Sequence, residues 1–418
     1  SAASAQGRAF GVFAARARRV LALTGTVTGG YASDLFYLLY RLNPAAMKAA
    51  GYGYGDVGKF VAAYGCLEKV AQAPEGRAAR SSRAGVPRLR VREKPGISPA
   101  VFSEHLLECT VFLELSDLAC DLPPYREEVL LQDMSPDQRR EYEALRAGLR
   151  GDVSRVLRAG SARVAGYVHA ALSYPDRPAG NPPVTGSGGR VVAVPRDLPE
   201  WPTYPKEEAL VGLCRAEISA GRRVFVYVAY TGTRDVSARL GEILSGAGLR
   251  VAVLRESVRP AAREEWIARQ VAGGTEVVVA NARLVEVGLD LIDFPTLVFF
   301  QTGYSLYTLR QASRRSWRIG QTKPVRVVFL AHRRHLQEAV LRLMGTKLRA
   351  ALALEGRFSS EGLRAMAQGD DLGVELARVL VEGLESVEGL ELFGAAWAPP
   401  EPAVQVAAEG SQLVWQFA

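Results

Sequence analysis

From residue 204 onward, short runs of apolar residues alternate with longer stretches whose apolar residues recur at helical spacing. The short runs are rich in valine and nearly continuous in apolar character, which is typical of strands buried on both faces. The pattern therefore predicts an α/β fold built on a parallel sheet. The predicted elements are helices ending at Ala220 and covering Asp235–Gly246 and Pro260–Val271, and strands at Val224–Tyr230, Val251, Val277, Leu297 and Val325–Leu330.

The N-terminal part of the chain has a weaker pattern. It predicts a helix over Arg8–Arg19, a strand over Val20–Thr24 and a helix over Tyr31–Leu42. Gln72–Gly96 is rich in arginine, alanine, glycine and proline and has almost no apolar periodicity. Such a composition predicts an exposed basic loop, and a contact with DNA there stays an open alternative.

The stretch before residue 204 shows one clear helix start. A strand is predicted directly after Leu122–Pro124, and Ser135 followed by Pro136 is the pattern of a capped first turn. Helical segments are predicted to about Ser173. A linker rich in proline and glycine follows through Pro205.

Composition restricts the class of protein. The 418 residues are 48% hydrophobic, which is enough to form two or three buried cores. The formal net charge is +8, and only seven of the 52 basic residues are lysines. Because arginine forks suit phosphates, the charge favours a polyanionic partner, but genomic base composition can produce the same arginine-rich usage. No apolar run of 18 residues and no secretory signal pattern occurs, so we expect no membrane partner and a cytoplasmic protein, nucleoid-associated in a prokaryote.

Cysteine and histidine usage gives no metal-ligand pattern. The four cysteines have no C-x-x-C spacing, which predicts reduced thiols. His332 and His335 lie beside two arginines and are interpreted as part of a polar loop rather than as zinc ligands. No metal site is predicted from the sequence.

The segment QASRRSWRIGQ, from Gln311 to Gln321, carries the strongest chemical signal. It places Gln311, Arg315 and Arg318 at positions i, i+4 and i+7, which would put the three side chains on one face of a helix. A glutamine and two permanent cations on one face suit a γ-phosphate that develops charge during hydrolysis. The alternative is a solvated basic helix face.

A second signature, VVVANARLVEVGLDL, lies just upstream and reads as a buried strand that leads into a glycine-containing loop. In this order the two segments resemble motifs V and VI of the Swi/Snf-type DNA-dependent ATPases of helicase superfamily two. The resemblance implies that Arg315 and Arg318 face the nucleotide across a cleft and that Arg318 is the arginine finger. Within motif V it implies a cofactor-binding role for Gly288 and Asp290. Asp290 could accept a hydrogen bond from a ribose or a loop, or only cap its turn.

Two further segments match the same family. Leu21–Pro44 resembles motif III and its following helix, with Thr24, Gly25 and Thr26 as the family has them; Val27 departs from the proline that usually follows. The resemblance implies that the three residues relay between hydrolysis and nucleic-acid contact. A plain turn at a strand end is the alternative.

Motif IV is the second of these matches. Tyr230, Thr231 and Gly232 lie at the predicted carboxyl end of a strand and resemble that motif, which implies nucleic-acid contact. Thr231 could alternatively serve only as a helix cap.

The family's phosphate loop and Asp-Glu pair are not matched in this chain. Gly53–Phe60 has the phosphate-loop spacing up to Lys59, but Phe60 lacks the hydroxyl that ligates Mg²⁺, and no Asp-Glu dipeptide occurs. The resemblance therefore implies that ATP and Mg²⁺ are held mainly by a missing first lobe. We expect the chain to be a piece truncated by design, by proteolysis or by gene splitting, and to hydrolyse little ATP alone.

The resulting prediction is the C-terminal half of an ATP-dependent translocase or helicase-like remodelling ATPase that contacts double-stranded DNA without sequence preference. The fold class is α/β, a RecA-like parallel sheet with helical insertions and a truncated remnant of the first lobe. The predicted parts are residues 1–44, the end of the first lobe with motif III; 45–122, a helical insertion and basic loop; 123–203, the inter-lobe passage and helical insertion with linker; 204–355, the second RecA-like lobe; and 356–418, a C-terminal helix and tail.

Two alternatives from other classes stay open. A nucleic-acid or partner-binding module that never hydrolyses ATP would show the same basic lobe. A nucleotide-sugar transferase with two doubly wound lobes would share the architecture but would have no role for the Gln311–Gln321 segment. The sequence does not identify protein partners.

Overall fold

The computed structural model describes residues 5–23, 31–72, 88–98, 100–111, 122–158, 164–186, 189–200, 203–285, 289–303 and 306–344. Its helices are α1 (Ala5–Arg16), α2 (Ala32–Leu42), α3 (Pro44–Ala49), α4 (Val57–Tyr64), α5 (Pro136–Arg158), α6 (Ala165–Ser173), α7 (Pro205–Ser219), α8 (Ser237–Gly246), α9 (Arg263–Ala272), α10 (Leu306–Ser313) and α11 (residues 336–344). Its strands are β1 (Gly65–Gln72), β2 (Arg88–Ile97), β3 (Tyr125–Gln132), β4 (Val184–Thr185), β5 (Val191–Ala193), β6 (Val224–Val228), β7 (Val251–Leu254), β8 (Val277–Asn281), β9 (Thr296–Phe299) and β10 (Val325–His332).

The predicted parallel sheet is confirmed. Six strands lie in the order β3-β10-β9-β6-β8-β7, and every neighbouring pair is parallel. All strands therefore begin at one edge of the sheet, here called the amino edge, and end at the opposite carboxyl edge. Polar loops at either edge are brought together although they lie far apart in the sequence.

The central strands are buried on both faces. Along β6, Val224, Val226 and Val228 pack into one hydrophobic cluster, whereas Phe225 and Tyr227 pack into the cluster on the other face. Alternate residues of a strand point to opposite faces, so one five-residue strand contributes to both cores. Each fully buried valine or phenylalanine adds about 1.5–3 kcal/mol of hydrophobic stabilisation.

Strand β3 joins this sheet from the segment that precedes residue 204. It pairs with β10 in register from Val325↔Tyr125 to His332↔Gln132. The helix start that follows is also as predicted. The Ser135 Oγ accepts a hydrogen bond from the Gln138 backbone N–H at 3.2 Å, and the Ser135 N–H donates to the Gln138 side chain at 3.0 Å. This reciprocal capping box fixes the first turn of α5.

Two predictions for the N-terminal part are wrong. The described residues 20–23 form no strand, and Leu21 and Leu23 are exposed. Gln72–Gly96 is not simply a loop, because β1 and β2 form an antiparallel ribbon that reaches into it from both ends. The alternation of basic and apolar residues in β2 is a strand pattern that composition alone concealed.

A separate hydrophobic core lies under the ribbon. It is built from α2, α4 and the turn of π-helix at Phe102–Leu106, with Phe36 and Phe60 at its centre and their rings 5.3 Å apart. The turn before α4 carries the phosphate-loop-like sequence. Lys59 there is exposed and forms an ion pair with Asp56 at 3.4 Å.

No helix among the described residues is both long and apolar enough to cross a membrane.

Gly65 provides a test of this core. A Cβ at that position would lie 2.8 Å from the Val61 carbonyl oxygen and 3.2 Å from the Ala32 Cβ, so Gly65→Ala must displace backbone. We expect a loss of about 1–3 kcal/mol in local stability, measured by hydrogen exchange of the α4 amides. The matched control is Gly58→Ala, where nothing lies within 4 Å of the added methyl group. It should stabilise the helix by up to about 1 kcal/mol. Equal exchange rates in the two variants would contradict the packing.

Candidate functional site

The motif VI segment does not continue as a helix, which corrects the predicted common face of Gln311, Arg315 and Arg318. Helix α10 ends at Ser313. The Arg315 N–H donates to the Ala312 carbonyl at 3.3 Å in a tight turn, and the Tyr227 hydroxyl donates to the same carbonyl at 3.2 Å. A continuing helix would need this carbonyl for the N–H of Ser316. Gln311 therefore stays on α10, half-buried, while the two arginines lie in the following loop.

Arg315 is a buried member of that loop. Its side chain is 7% exposed and donates from a terminal guanidinium nitrogen to the Leu289 carbonyl at 3.2 Å. Its own carbonyl accepts from the Leu291 N–H at 3.1 Å. Arg315 thus clamps residues 289–291, the end of motif V, against the motif VI loop.

Arg318 is the exposed counterpart. Its guanidinium lies 2.6 Å from the Asp290 carboxylate, and the two side chains are 44% and 53% exposed. The fold therefore brings together two residues that the sequence singled out in different motifs. Because ion pairs this exposed contribute only about 0–1 kcal/mol, the Arg318 side chain can leave Asp290 at little cost.

The loop is fixed at both ends by hydrogen bonds to the amino edge of the sheet. The Ser316 Oγ donates to the Phe294 carbonyl at 2.7 Å, and the Trp317 ring nitrogen donates to the Pro123 carbonyl at 2.8 Å. The Gln321 side chain donates to the carbonyls of Ile292 and Ser316 at 2.8 and 3.1 Å. The backbone around Arg318 is therefore held in place even though its side chain is exposed.

Other predicted site residues are not part of this loop. Thr231 lies just beyond the end of β6, at the carboxyl edge, whereas Ser316 bonds a residue that precedes β9 at the amino edge. Thr231 is exposed and occupies the N-cap position of a short 3-10 turn. Its side chain makes no capping hydrogen bond there. Four predicted residues lie outside the described part of the chain: Thr24, Gly25, Thr26 and Gly288.

The carboxyl edge holds the Thr231 segment in a defined backbone conformation. The Gln301 side-chain oxygen accepts from the N–H groups of Ala229 and Tyr230 at 3.2 and 3.4 Å. The Asn281 side chain donates to the Tyr230 carbonyl at 3.4 Å. Nearby, the pKa of His169 is lowered by burial and then by the positive charges of Arg234 and Arg283. The edge is therefore locally basic.

A buried polar network next to this edge was missed by sequence reasoning. The Lys206 ammonium lies 2.9 Å from the Asp176 carboxylate and 2.9 Å from the Gln337 side-chain oxygen, and it sits over the Phe300 ring at 4.6 Å. The Gln337 side-chain nitrogen donates to Asp176 at 2.9 Å and to the Leu172 carbonyl at 2.9 Å. Burial raises the pKa of Asp176 and lowers that of Lys206, and their mutual attraction opposes both shifts. No local pattern marks these residues, since most lysines and aspartates are exposed.

His332 and His335 belong to the same region, so their interpretation as a polar loop is wrong. Both side chains are fully buried. The His335 Nδ1 accepts from the Gln337 N–H at 3.0 Å, and its Nε2 lies 3.1 Å from the Ala171 carbonyl. This geometry requires a neutral ring with the proton on Nε2. Burial, followed by the charge of Lys206, holds the pKa of both histidines well below the usual range.

Comparisons with known proteins find similarity over much of this lobe. Residues 205–320 match the family model of the helicase conserved C-terminal domain. The chromodomain-helicase-DNA-binding protein 1-like of Danio rerio is 28% identical over 169 residues, which are 40% of this chain and 16% of that protein. The chain thus spans about a sixth of the length of this curated relative.

Two solved structures are also similar. The C-terminal part of the Fun30 ATPase domain has a TM-score of 0.44 at 14% identity and covers 62% of this chain and 99% of that one. The Sulfolobus solfataricus SWI2/SNF2 ATPase core in complex with dsDNA has a TM-score of 0.39 at 17% identity. The match covers 65% of this chain and 53% of that one.

Residues 205–320, which contribute strands β6 to β9 of the sheet, therefore match the helicase conserved C-terminal domain. The family resemblance drawn from motifs V and VI is confirmed at this level.

Histidine burial predicts a pH dependence of stability. The folded-state pKa of His335 lies well below its usual value. As the pH drops below about 6.5, the unfolded chain therefore binds a proton that the folded chain excludes. The free energy of unfolding accordingly decreases as the pH is lowered. We expect His335→Gln to remove about 1.4 kcal/mol per pH unit from the slope between pH 6.5 and 5, measured by urea unfolding followed by tryptophan fluorescence. The control Leu341→Ala should lower stability equally at every pH. An unchanged slope in His335→Gln would contradict a neutral buried ring.

Proposed function

We propose that this chain is the C-terminal half of an ATP-dependent double-stranded DNA translocase or helicase-like remodelling ATPase. It supplies the arginine finger and part of the DNA track, and a first motor lobe supplies the phosphate loop and the Mg²⁺ site. The observation that carries the proposal is the division between Arg315, which is buried and clamps motif V, and Arg318, which is exposed and paired only weakly with Asp290.

Arg318 fits the role of the finger for three reasons. Its backbone is fixed by the bonds of Ser316 and Trp317, so its position is set before any ligand binds. Its guanidinium is accessible, and its pairing with Asp290 is exchangeable. A planar fork suits the oxygens of a γ-phosphoryl group, which ATP supplies when it binds with Mg²⁺.

Arg315 acts differently in this proposal. Arg315 is 7% exposed and bonds the Leu289 carbonyl beside Asp290. It therefore orients the Arg318–Asp290 ion pair and does not contact the nucleotide itself. Arg315 is therefore a positioning residue, and Asp290 holds the Arg318 fork until the nucleotide replaces it. Gln311, half-buried on α10, is kept as a candidate for the nucleotide side of the cleft.

The DNA track is assigned to the carboxyl edge. Thr231 and Arg283 are exposed there, and Tyr230 is fixed by Gln301 and Asn281. Exposed hydroxyl and guanidinium groups bind phosphate oxygens, which carry no sequence information. The proposal therefore includes double-stranded DNA as a sequence-independent partner. A module that binds nucleic acid without hydrolysing ATP would use the same edge but would not need Arg318.

The arginine roles can be separated in the complete protein. We expect Arg318→Lys to keep stability within about 0.5 kcal/mol and to lower DNA-stimulated ATP turnover by about 10³-fold, because the charge stays but the fork is lost. The matched variant Arg315→Lys should lower the free energy of unfolding by about 1–3 kcal/mol through its lost bond to Leu289. Turnover would be measured under DNA saturation. Wild-type turnover in Arg318→Lys would overturn the assignment.

The DNA assignment can be tested on the chain itself. We expect weak binding to two unrelated duplexes of equal length with the same affinity, and a log-log salt slope of about −3 to −5 from a handful of phosphate contacts. The measurement is fluorescence anisotropy at several salt concentrations. Arg283→Gln should reduce the slope by about 0.9, since one phosphate contact is lost. A flat salt response or a strong preference for one duplex would contradict a track along the backbone.

A further inference from the structure

The motif VI loop is attached to the sheet on both sides of strand β10. On one side, the Ser316 hydroxyl donates to the Phe294 carbonyl, just ahead of β9. On the other side, the Trp317 ring nitrogen donates to the Pro123 carbonyl, just ahead of β3. Strand β10 lies between β9 and β3 in the sheet, so the two strands that follow these attachments are about 9–10 Å apart.

The attachment on the β3 side is made by an indole ring. The centroid of the Trp317 ring lies 5.2 Å from that of Tyr125, and the Arg314 guanidinium carbon lies 5.7 Å from the indole centroid. Tyr125 is buried, and its hydroxyl donates to the Glu127 carboxylate. Because the Tyr125 ring is held in this way, the indole is fixed by a ring contact as well as by its N–H.

The acceptor of the indole N–H belongs to a restricted segment. Pro123 is followed by Pro124, whose carbonyl accepts from the Val325 N–H at 2.8 Å. Tyr125 then pairs with Val325 in the sheet. Two consecutive prolines limit the backbone angle φ, so the segment ahead of β3 has little conformational freedom. A bond to this segment therefore ties the motif VI loop to the position of β3.

Trp317 directly precedes Arg318 in the chain. The Arg318 carbonyl accepts from the Gln321 N–H at 3.0 Å, which closes a turn on its other side. The Gln321 side chain donates to the Ile292 carbonyl at 2.8 Å, ahead of β9. Arg318 is therefore placed between an attachment to the segment ahead of β9 and an attachment to the segment ahead of β3. Two separate attachments prevent the loop from pivoting about either one.

We infer that Trp317 is a positioning residue for the arginine finger, because its indole N–H fixes the motif VI loop against the segment ahead of β3 and so sets the orientation of Arg318. The inference rests on the proposed role of Arg318. Strand β3 lies outside residues 205–320, which match the helicase C-terminal domain. A part of the chain beyond the matched residues thus contributes to placing the guanidinium. Trp317 acts through Arg318 and does not contact the nucleotide itself.

The first test separates the indole N–H from the indole volume in the complete protein. Trp317→Phe keeps an aromatic ring but loses the N–H, whereas Trp317→His is smaller and keeps a ring N–H. We expect Trp317→Phe to lower DNA-stimulated ATP turnover about 10-fold or more, since a misplacement of about 1 Å costs on the order of 10²-fold. The KM for ATP should stay within about twofold of wild type, because Arg318 acts in the transition state. Trp317→His should retain more turnover than Trp317→Phe.

The matched control is Trp266→Phe. Trp266 lies on α9, is half-buried and packs against the same hydrophobic core, so this variant loses the same atoms away from the motif VI loop. It should keep wild-type turnover, and urea unfolding of all variants shows that each is folded. A loss of turnover in Trp317→Phe no larger than that in Trp266→Phe would overturn the inference. Lower turnover in Trp317→His than in Trp317→Phe would also overturn it.

A double variant shows whether Trp317 acts through the arginine. In an Arg318→Lys background the planar fork is already lost, so adding Trp317→Phe should lower turnover by less than about twofold further. A merely structural role of Trp317 would instead lower turnover by the same factor in both backgrounds, and that result would contradict the inference.

The bond itself can be observed in the chain without ATP. In a nuclear magnetic resonance spectrum, the indole N–H signal that is absent from Trp317→Phe belongs to Trp317. This hydrogen-bonded N–H should exchange with solvent more slowly than a free indole, and equally rapid exchange would contradict the contact. Reduced turnover in Arg318→Lys with wild-type turnover in Trp317→Phe would overturn the positioning role and leave the proposed finger standing. Wild-type turnover in Arg318→Lys would contradict both.

Discussion

The central strands β6, β8 and β9 must be covered by apolar side chains on both faces, and this constraint decides where chemistry can occur. Every residue of these strands is buried. Polar groups can be accommodated only where strands begin or end, because an unpaired polar group inside either face would cost several kcal/mol. The candidate catalytic loop therefore lies at the amino edge, and the candidate DNA contacts lie at the carboxyl edge.

The sheet also fixes the shape of the motif VI loop. Tyr227 needs a partner for its hydroxyl because the side chain is fully buried, and the Ala312 carbonyl provides it. Just beyond the end of α10, Ser316 and Trp317 bond carbonyls of two other segments. These bonds to distant segments hold the backbone on which Arg315 is buried and Arg318 is exposed. In this way packing sets the electrostatic properties of the site.

Sequence reasoning succeeded where a signal was local or repeated. The Ser135 cap and the valine-rich strands depend on neighbouring residues, and both were predictable. The common face of Gln311, Arg315 and Arg318 failed because α10 ends at Ser313, and the loop that follows is held through Ser316 and Trp317 by segments distant in sequence. His332 and His335 were misjudged because tertiary packing also decides their burial. The two arginines between them suggested an exposed loop, whereas both imidazoles are buried at the junction of β10 and α11.

The network of Asp176, Lys206 and Gln337 illustrates why such features cannot be read from one sequence. A buried ion pair gains little over a well-packed apolar replacement, so stability alone does not account for it. Its geometric effect is specific, since it ties the turn after α6 to the start of α7 and the start of α11. Burial raises the pKa of the Asp176 carboxyl, and the neighbouring Lys206 and Gln337 oppose that rise. The α6 segment in turn reaches the strand end at which Thr231 lies, because the centroids of the His169 and Tyr230 rings are 5.7 Å apart.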